Sequence, residues 1–178
     1  MLGLGARILK HSAGPSLYRT RTTCTFTKSP NRNINATGGS NFRVDGKDFT
    51  VSGWIKLKTD ASSVENLDAL GIIFSAGQAN NGGFSIVYND AAGDDEKFGL
   101  ATDAGSGFDY HYQDTDVDHD VWYHMVFTYD GTSATTSKIY MNGVLDGTDT
   151  GLTAPTAYSG NISVGCNSAG ASDAIMCE

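Results

Sequence analysis

The chain is poor in the residue types around which most catalytic and metal chemistry is built. Its 178 residues include three cysteines, three prolines and four histidines, and among 20 acidic residues only Glu65, Glu96 and Glu178 are glutamates. Cys24, Cys166 and Cys177 contain no CxxC spacing, which argues against a zinc site. An odd count suits buried free thiols better than a disulfide framework; a Cys166–Cys177 bridge on paired strands is the one pairing left open. No apolar run approaches the ~20 residues that a membrane-crossing helix needs, so no membrane partner is expected. No Ser-His-Asp or Cys-His arrangement can be placed from spacing, and there is no glycine-rich phosphate loop.

Acid is missing altogether from residues 1–44, which carry Arg7, Lys10, Arg19, Arg21, Lys28, Arg32 and Arg43. The remaining five lysines and all 20 acids follow. Such a body repels phosphates, so nucleic-acid binding through it is not expected. The basic start reads as an arm over 1–19; the basic segment could contact nucleic acid, a membrane or an acidic neighbour, the last through Arg7, Lys10, Arg19 and Arg21, or be simply solvated. It is not a secretory signal, because Gly3, Gly5, Arg7 and Lys10 interrupt its apolar stretch; it is closer to a mitochondrial presequence in composition.

What the chain does have is glycine, 22 residues of it, and short β-prone runs between turn residues. That pattern predicts an all-β sandwich over 20–178, with one helical turn at the capping box Ser62-x-x-Glu65. Strands are expected at 22–28, 49–58, 70–76, 84–89, 97–102, 108–113, 121–129, 137–141, 144–145 and 161–166. In 49–58, Phe49, Val51, Ile55 and Leu57 share one face and Trp54 the other, beside Lys56 and Lys58. In 121–129, Val121, Tyr123, Met125 and Phe127 are in step. Asn142-Gly143 is a two-residue hairpin signal, and Asp130-Gly131 and Asp146-Gly147 read as further turns.

Two segments carry a family likeness. Asp48-Phe49-Thr50-Val51-Ser52-Gly53-Trp54-Ile55-Lys56 resembles a motif of the type FTISAWVK. Trp122–Gly131 followed by Lys138–Gly147 resembles WYHVAFTYDG…KLYVNGVLDG, and Ile162-Ser163-Val164-Gly165 fits the strand that comes next. Together they resemble the laminin-G-like branch of the concanavalin A-like lectin/glucanase superfamily over about residues 40–170. The resemblance implies an antiparallel, two-sheet jelly-roll sandwich with loops at its rim, and it is far more informative about fold than about function. The start, Met1-Leu2-Gly3-Leu4-Gly5 followed by a short basic stretch and then this domain, also resembles phage virion proteins of this family. The family's usual last strand, of the type DGLIDEVRIY, is matched only at its start by Asp173-Ala174-Ile175. Either the sequence is a fragment, or the sheet has an unpaired edge that a neighbouring subunit would fill.

The leading expectation is therefore a non-enzymatic structural and recognition module. Its expected setting is the surface of a virion made in a host cytoplasm, as a capsid decoration or tail-fibre type, with neighbouring subunits as partners and a cell-surface glycan as ligand. The alternative is a calcium-dependent, lectin-like domain of a larger or secreted, extracellular protein. A glycan-active hydrolase comes last, since the paired carboxylates such chemistry needs are not patterned on any strand. Tyr110 and Tyr112, flanking His111, and Trp54 are the candidate sugar-stacking residues, although sheet packing also explains them. Asp114, Asp116 and Asp118, in the run that ends at Asp120, are candidate ligands for Ca²⁺, a hard cation that takes several oxygens. A solvated acidic loop explains them equally. His111, His119 and His124 are residue types that could serve as metal ligands or a base, but His124 alternates with Trp122 and reads better as a satisfied or half-exposed sheet position.

Overall fold

A strand that buries one face and wets the other must alternate apolar and polar residues, and the strongest strands here do so along their whole length. The computed structural model describes residues 34–37, 44–57, 71–78, 80–91, 95–131 and 136–165. Among them run ten strands: β1 (Ile34–Ala36), β2 (Phe49–Ile55), β3 (Gly71–Gln78), β4 (Gly82–Ala91), β5 (Asp95–Asp103), β6 (Phe108–Tyr112), β7 (Tyr123–Asp130), β8 (Thr136–Met141), β9 (Val144–Asp149) and β10 (Ile162–Val164). They form a six-stranded sheet, β1-β10-β3-β4-β5-β6, and a four-stranded sheet, β2-β7-β8-β9. Every pairing is antiparallel. The expected all-β sandwich is what forms; the expected strand at 22–28 and the helical turn at 62–65 lie outside the described residues.

The core fills the space between the sheets. Phe84, Ile86, Tyr88, Phe98 and Leu100 come from one sheet, and Ile55, Met125, Phe127, Tyr129 and Ile139 from the other. Register places Phe127 between Val51 and Ile139, so three strands present apolar side chains in one row. A bulge between Ile72 and Phe74 re-aims β3: Ile73 and Phe74 both join the main core, while Ile72 turns outward.

The turns follow their chemistry. Asn142 (φ 53°) and Gly143 (φ 84°) supply the two positive φ values of a tight hairpin between β8 and β9. Asp146-Gly147, in contrast, is not a turn. Gly147 pairs with Ile139 and Leu145 with Tyr140, so Asp146 is the extra residue of a bulge and β9 runs on to Asp149. Val121 is also misplaced by simple alternation. It precedes β7, is 41% exposed and takes no part in the core, because the loop from β6 ends only at Trp122.

Candidate functional site

The alternation that buries Phe49, Val51 and Ile55 turns Thr50, Ser52 and Trp54 outward. On β7 the outward residues are His124, Val126 and Thr128, and on β8 they are Lys138 and Tyr140. Register then assembles rows across the sheet: Trp54 beside His124, Ser52 beside Val126 and Tyr140, Thr50 beside Thr128 and Lys138. Trp54 is 53% exposed, unusual for the largest apolar side chain. Its ring centroid lies 5.2 Å from that of His124 at an interplanar angle of 47°. Lys56 Nζ sits 5.3 Å from the centre of the Trp122 ring, a cation–π distance. Toward the other end of the same face opens a shallow trough of about 710 Å³, whose lining includes Asp48, Thr50, Thr128, Asp130, Thr136, Lys138 and Tyr140. Asp48 Oδ1 accepts a hydrogen bond from the Gly131 amide, which fixes that rim.

The structure separates the three aromatic residues expected to act together. Tyr110 and Tyr112 lie on the outer face of the other sheet, opposite Ala101 and Gly99 on β5, and so on the far side of the sandwich from Trp54. Their rings stack at 5.9 Å and 9°. With Phe108 they roof a small second core of Ile72, Val87 and Ala101. A Cβ at Gly99 would come within 2.6 Å of the Tyr112 ring, so that ring lies flat on the strand where glycine leaves room. Burial, and secondarily Tyr110, pushes the Tyr112 hydroxyl well above the ordinary tyrosine range. Both rings are partly buried against that second core.

The aspartate run forms the loop between β6 and β7, as expected, but its carboxylates are not gathered at one point. Asp116 lies 3.8 Å from Lys97, and the Asp118 amide donates to the Tyr123 hydroxyl. The Asp114 amide donates to the Asp146 carbonyl, and the Thr115 hydroxyl to the Asp146 carboxylate. Among the described residues no three His, Cys, Asp or Glu side chains come together as a metal-binding group. The basic arm with Arg7, Lys10, Arg19 and Arg21 lies outside the described residues.

The same loop closes one side of the sandwich. His111 on β6 is buried, and its Nδ1 shares a hydrogen bond with the Ser137 hydroxyl on β8. Its Nε2 faces Gly147, where a Cβ would stand 3.1 Å away. Burial lowers the affinity of His111 for a second proton, while the charges of Asp149 and Asp114 act in the opposite sense and do not overcome it. Because the folded value lies below the ordinary 6.5, the contribution is intact above pH 6.5. Below it the unfolded chain takes up a proton that the folded chain resists, and stability falls until the folded value is passed. The urea midpoint is expected to drop between pH 7.5 and 5.5, and to drop less in His111→Gln, whose side chain is always neutral. An equal drop in both proteins would remove His111 as the cause. Asp109 acts in a lower window. Burial tends to raise its carboxyl, but hydrogen bonds from Thr153 and Tyr110 outweigh this and hold it below 3.8, so its contribution is lost only as pH falls beneath that.

A mainly apolar hollow of about 560 Å³ lies on the opposite side, between β2 and the β10–β1 edge, where Val51, Phe74, Phe84 and Val164 meet. It offers few polar partners. Among the described residues, the outer face of β2-β7-β8 brings together an exposed aromatic ring and hydroxyl, ammonium and carboxylate groups.

Two opposed antiparallel sheets with an apolar filling between them define a β-sandwich. A family model described as concanavalin A-like lectin/glucanases superfamily matches residues 29–175. The chain belongs to that superfamily, as the motifs at 48–56 and 122–147 suggest. Comparison with curated proteins gives no match.

Of the residues gathered on the outer face, only Trp54 was singled out from the sequence. His124, Thr128, Lys138 and Tyr140 were legible as the outward phase of strands whose inward phase was already assigned. Their union required the register between strands far apart in sequence.

Proposed function

We propose that the chain is a non-enzymatic recognition module that binds a glycan. The observation that carries this reading is the exposed Trp54 ring on the same sheet face as a trough lined by threonine hydroxyls, Asp48, Asp130 and Lys138. Pyranose rings present C–H faces that stack on aromatic rings and hydroxyls that need polar partners, so a surface offering both suits them. The superfamily match supports the same ligand class. Binding without turnover is supported by how the acids are used. Asp48, Asp103, Asp109, Asp146 and Asp149 each accept hydrogen bonds from backbone amides and so stabilise loops and turns. The setting we propose is a displayed surface, on a particle such as a virion or outside a cell. Its support is the charge segregation in the sequence, a basic start ahead of an acidic body that a neighbouring subunit could engage.

Native affinity electrophoresis through gels containing neutral polysaccharides tests this directly, with a reducing-end assay on the same mixtures. Retarded migration by at least one polysaccharide with no new reducing ends is expected, unchanged by adding Ca²⁺ or a chelator. Unretarded migration in every gel contradicts glycan binding. New reducing ends contradict the non-enzymatic reading, and retardation that requires Ca²⁺ favours a calcium-dependent lectin.

A further inference from the structure

We infer that the end of the sandwich carrying Trp122 is a self-association surface, on which the basic, apolar N-terminal segment of a second copy docks, so that two copies exchange arms. This rests on the reading above that a neighbouring subunit engages the basic start. It adds the surface, the occupant and the symmetry, and it does not depend on glycan binding.

The first ground is where apolar surface is exposed. Of the six exposed large hydrophobic residues among the described ones, five lie at one end of the four-stranded sheet. Val121 and Trp122 stand directly before β7, Val144 and Leu145 open β9, and Trp54 is next to last on β2. Register brings these together. Trp54 pairs with His124, and Gly53, Met125, Met141 and Val144 form the adjoining row. Four strands at ~4.8 Å spacing make that end about 14 Å wide. The five side chains are between 36% and 69% exposed, and a cluster of this kind marks a contact surface where single scattered residues would not.

The second ground is charge, which selects the occupant. The aspartate loop borders the cluster on both sides: the Asp114 amide donates to the Asp146 carbonyl, one residue from Leu145, and Asp120 precedes Trp122 by two. Asp114, Asp118 and Asp120 are exposed, while Asp116 faces Lys97 and Lys56 lies over the Trp122 ring. An apolar centre with a carboxylate border fits a segment that is itself apolar and cationic. Residues 1–10 are such a segment: Met1, Leu2, Leu4, Ile8 and Leu9 are apolar, Arg7 and Lys10 are basic, and none is acidic. The bodies alone would repel, since residues 45–178 carry five lysines against 20 acids, so association needs the arms. The same border disfavours a bilayer, whose anionic leaflet repels carboxylates.

The third ground is where the chain enters the fold. Tyr88 lies against Phe98 and Phe98 against Tyr123, so the Gly71 end of β3, which pairs with Tyr88, is the Trp122 end of the sandwich. β10 is antiparallel to β3, and β1 to β10, so β1 runs away from that end and the chain reaches Ile34 from it. Each copy thus presents arm and docking surface at one end. Two copies facing end to end satisfy each other and close as a twofold dimer, whereas head-to-tail growth would need the two features at opposite ends. The 24 residues from Lys10 to Ile34 span at most roughly 80 Å when extended, ample to reach the facing copy.

Sedimentation velocity of the full chain over a concentration series tests this, and a discrete dimer is expected. Arg7→Glu/Lys10→Glu is expected to weaken dimerisation about tenfold or more, and Asp118→Lys/Asp120→Lys to do the same. The chain carrying all four changes is expected to recover much of the loss. Trp122→Ser and Leu145→Ser are expected to weaken it likewise. Both positions are exposed, so circular dichroism and the melting temperature of the dilute variants should match the parent chain. A monomer at every concentration overturns the inference and the subunit reading with it, whether or not a glycan binds. A dimer that these variants leave intact means that copies pair through another surface, which overturns the docking site while the subunit reading stands. No recovery in the four-change chain means that arm and loop do not meet, and growth into larger species overturns the twofold exchange. Cosedimentation with phosphatidylcholine–phosphatidylserine vesicles that requires Trp122 and Leu145 would give this end to a membrane and overturn the docked arm.

Discussion

Phe127→Ala is expected to cost about 3–5 kcal/mol of folding stability, the range for truncating a well-packed phenylalanine. Phe127 is 1% exposed, lies on the central part of β7, and is paired with Val51 on one side and Ile139 on the other. Truncation removes the ring from the layer where the sheets meet. The neighbours that would have to collapse into the space are held by ladders on both flanks, so little relaxation is available. For a domain of this size such a loss is a large fraction of the total. Urea unfolding measures it: the midpoint should fall sharply at nearly constant slope. A loss below about 1 kcal/mol would mean that this layer is loosely packed.

Gly83→Ala is the second large effect, and its cause is backbone rather than core. Gly83 has φ 92°, a region that side chains rarely adopt, and it pairs with Gly77 across the β3–β4 ladder. A Cβ at Gly83 would stand 2.2 Å from the Ala76 carbonyl oxygen and 2.6 Å from the Gly77 Cα, and neither atom belongs to a side chain that could rotate away. The Gly83 amide also donates to the Thr156 carbonyl, so a shift of β4 would disturb the loop that leads to β10. Strain and overlap together are expected to cost about 3 kcal/mol or more. Gly105 provides the control: its φ is 93° but no atom lies within 4 Å of an added Cβ. Gly105→Ala should therefore cost only about 1 kcal/mol, the strain term alone. Equal losses in the two variants would show that φ, not the overlap, decides.

Phe127 and Gly83 also mark what was legible in the sequence. Tyr123, Met125 and Phe127 announce a buried strand face through simple alternation, and Asn142-Gly143 announces its hairpin, because both signals are local. The family likeness at 48–56 and 122–147 orders these pieces correctly. Gly83, by contrast, reads as one glycine among 22. Its role comes from Ala76 on the neighbouring strand. The bulge at Asp146 was likewise hidden, since Asp-Gly has turn chemistry and only the register with Ile139 and Tyr140 shows that the strand continues. The short strand β1 escaped notice because three residues carry no period.

The candidate site divides in the same way. Trp54 was visible as an out-of-phase aromatic on an otherwise inward-reading strand. Tyr110 and Tyr112 give an equally good aromatic signal, but alternation does not show that Gly99 and Ala101 across the ladder are small enough for the rings to lie down on the sheet and roof the second core. The period-two spacing of Asp114, Asp116 and Asp118 suggested a common face, yet the loop conformation sends Asp116 to Lys97 and ties the backbone at Asp114 and Asp118 to other partners. Spacing implies convergence only on a regular strand.

The most direct test of recognition on the outer face is amide and indole chemical-shift mapping of the labelled full chain, titrated with the neutral polysaccharide that retards it most. The expected result is a contiguous set of shifts over Thr50–Trp54, His124–Thr128 and Lys138–Tyr140, including the Trp54 indole N–H, with the Tyr110–Tyr112 strand and the Asp114–Asp120 loop unmoved. Shifts confined to that strand or that loop would place recognition on the other sheet or at the rim, and would contradict the site proposed here.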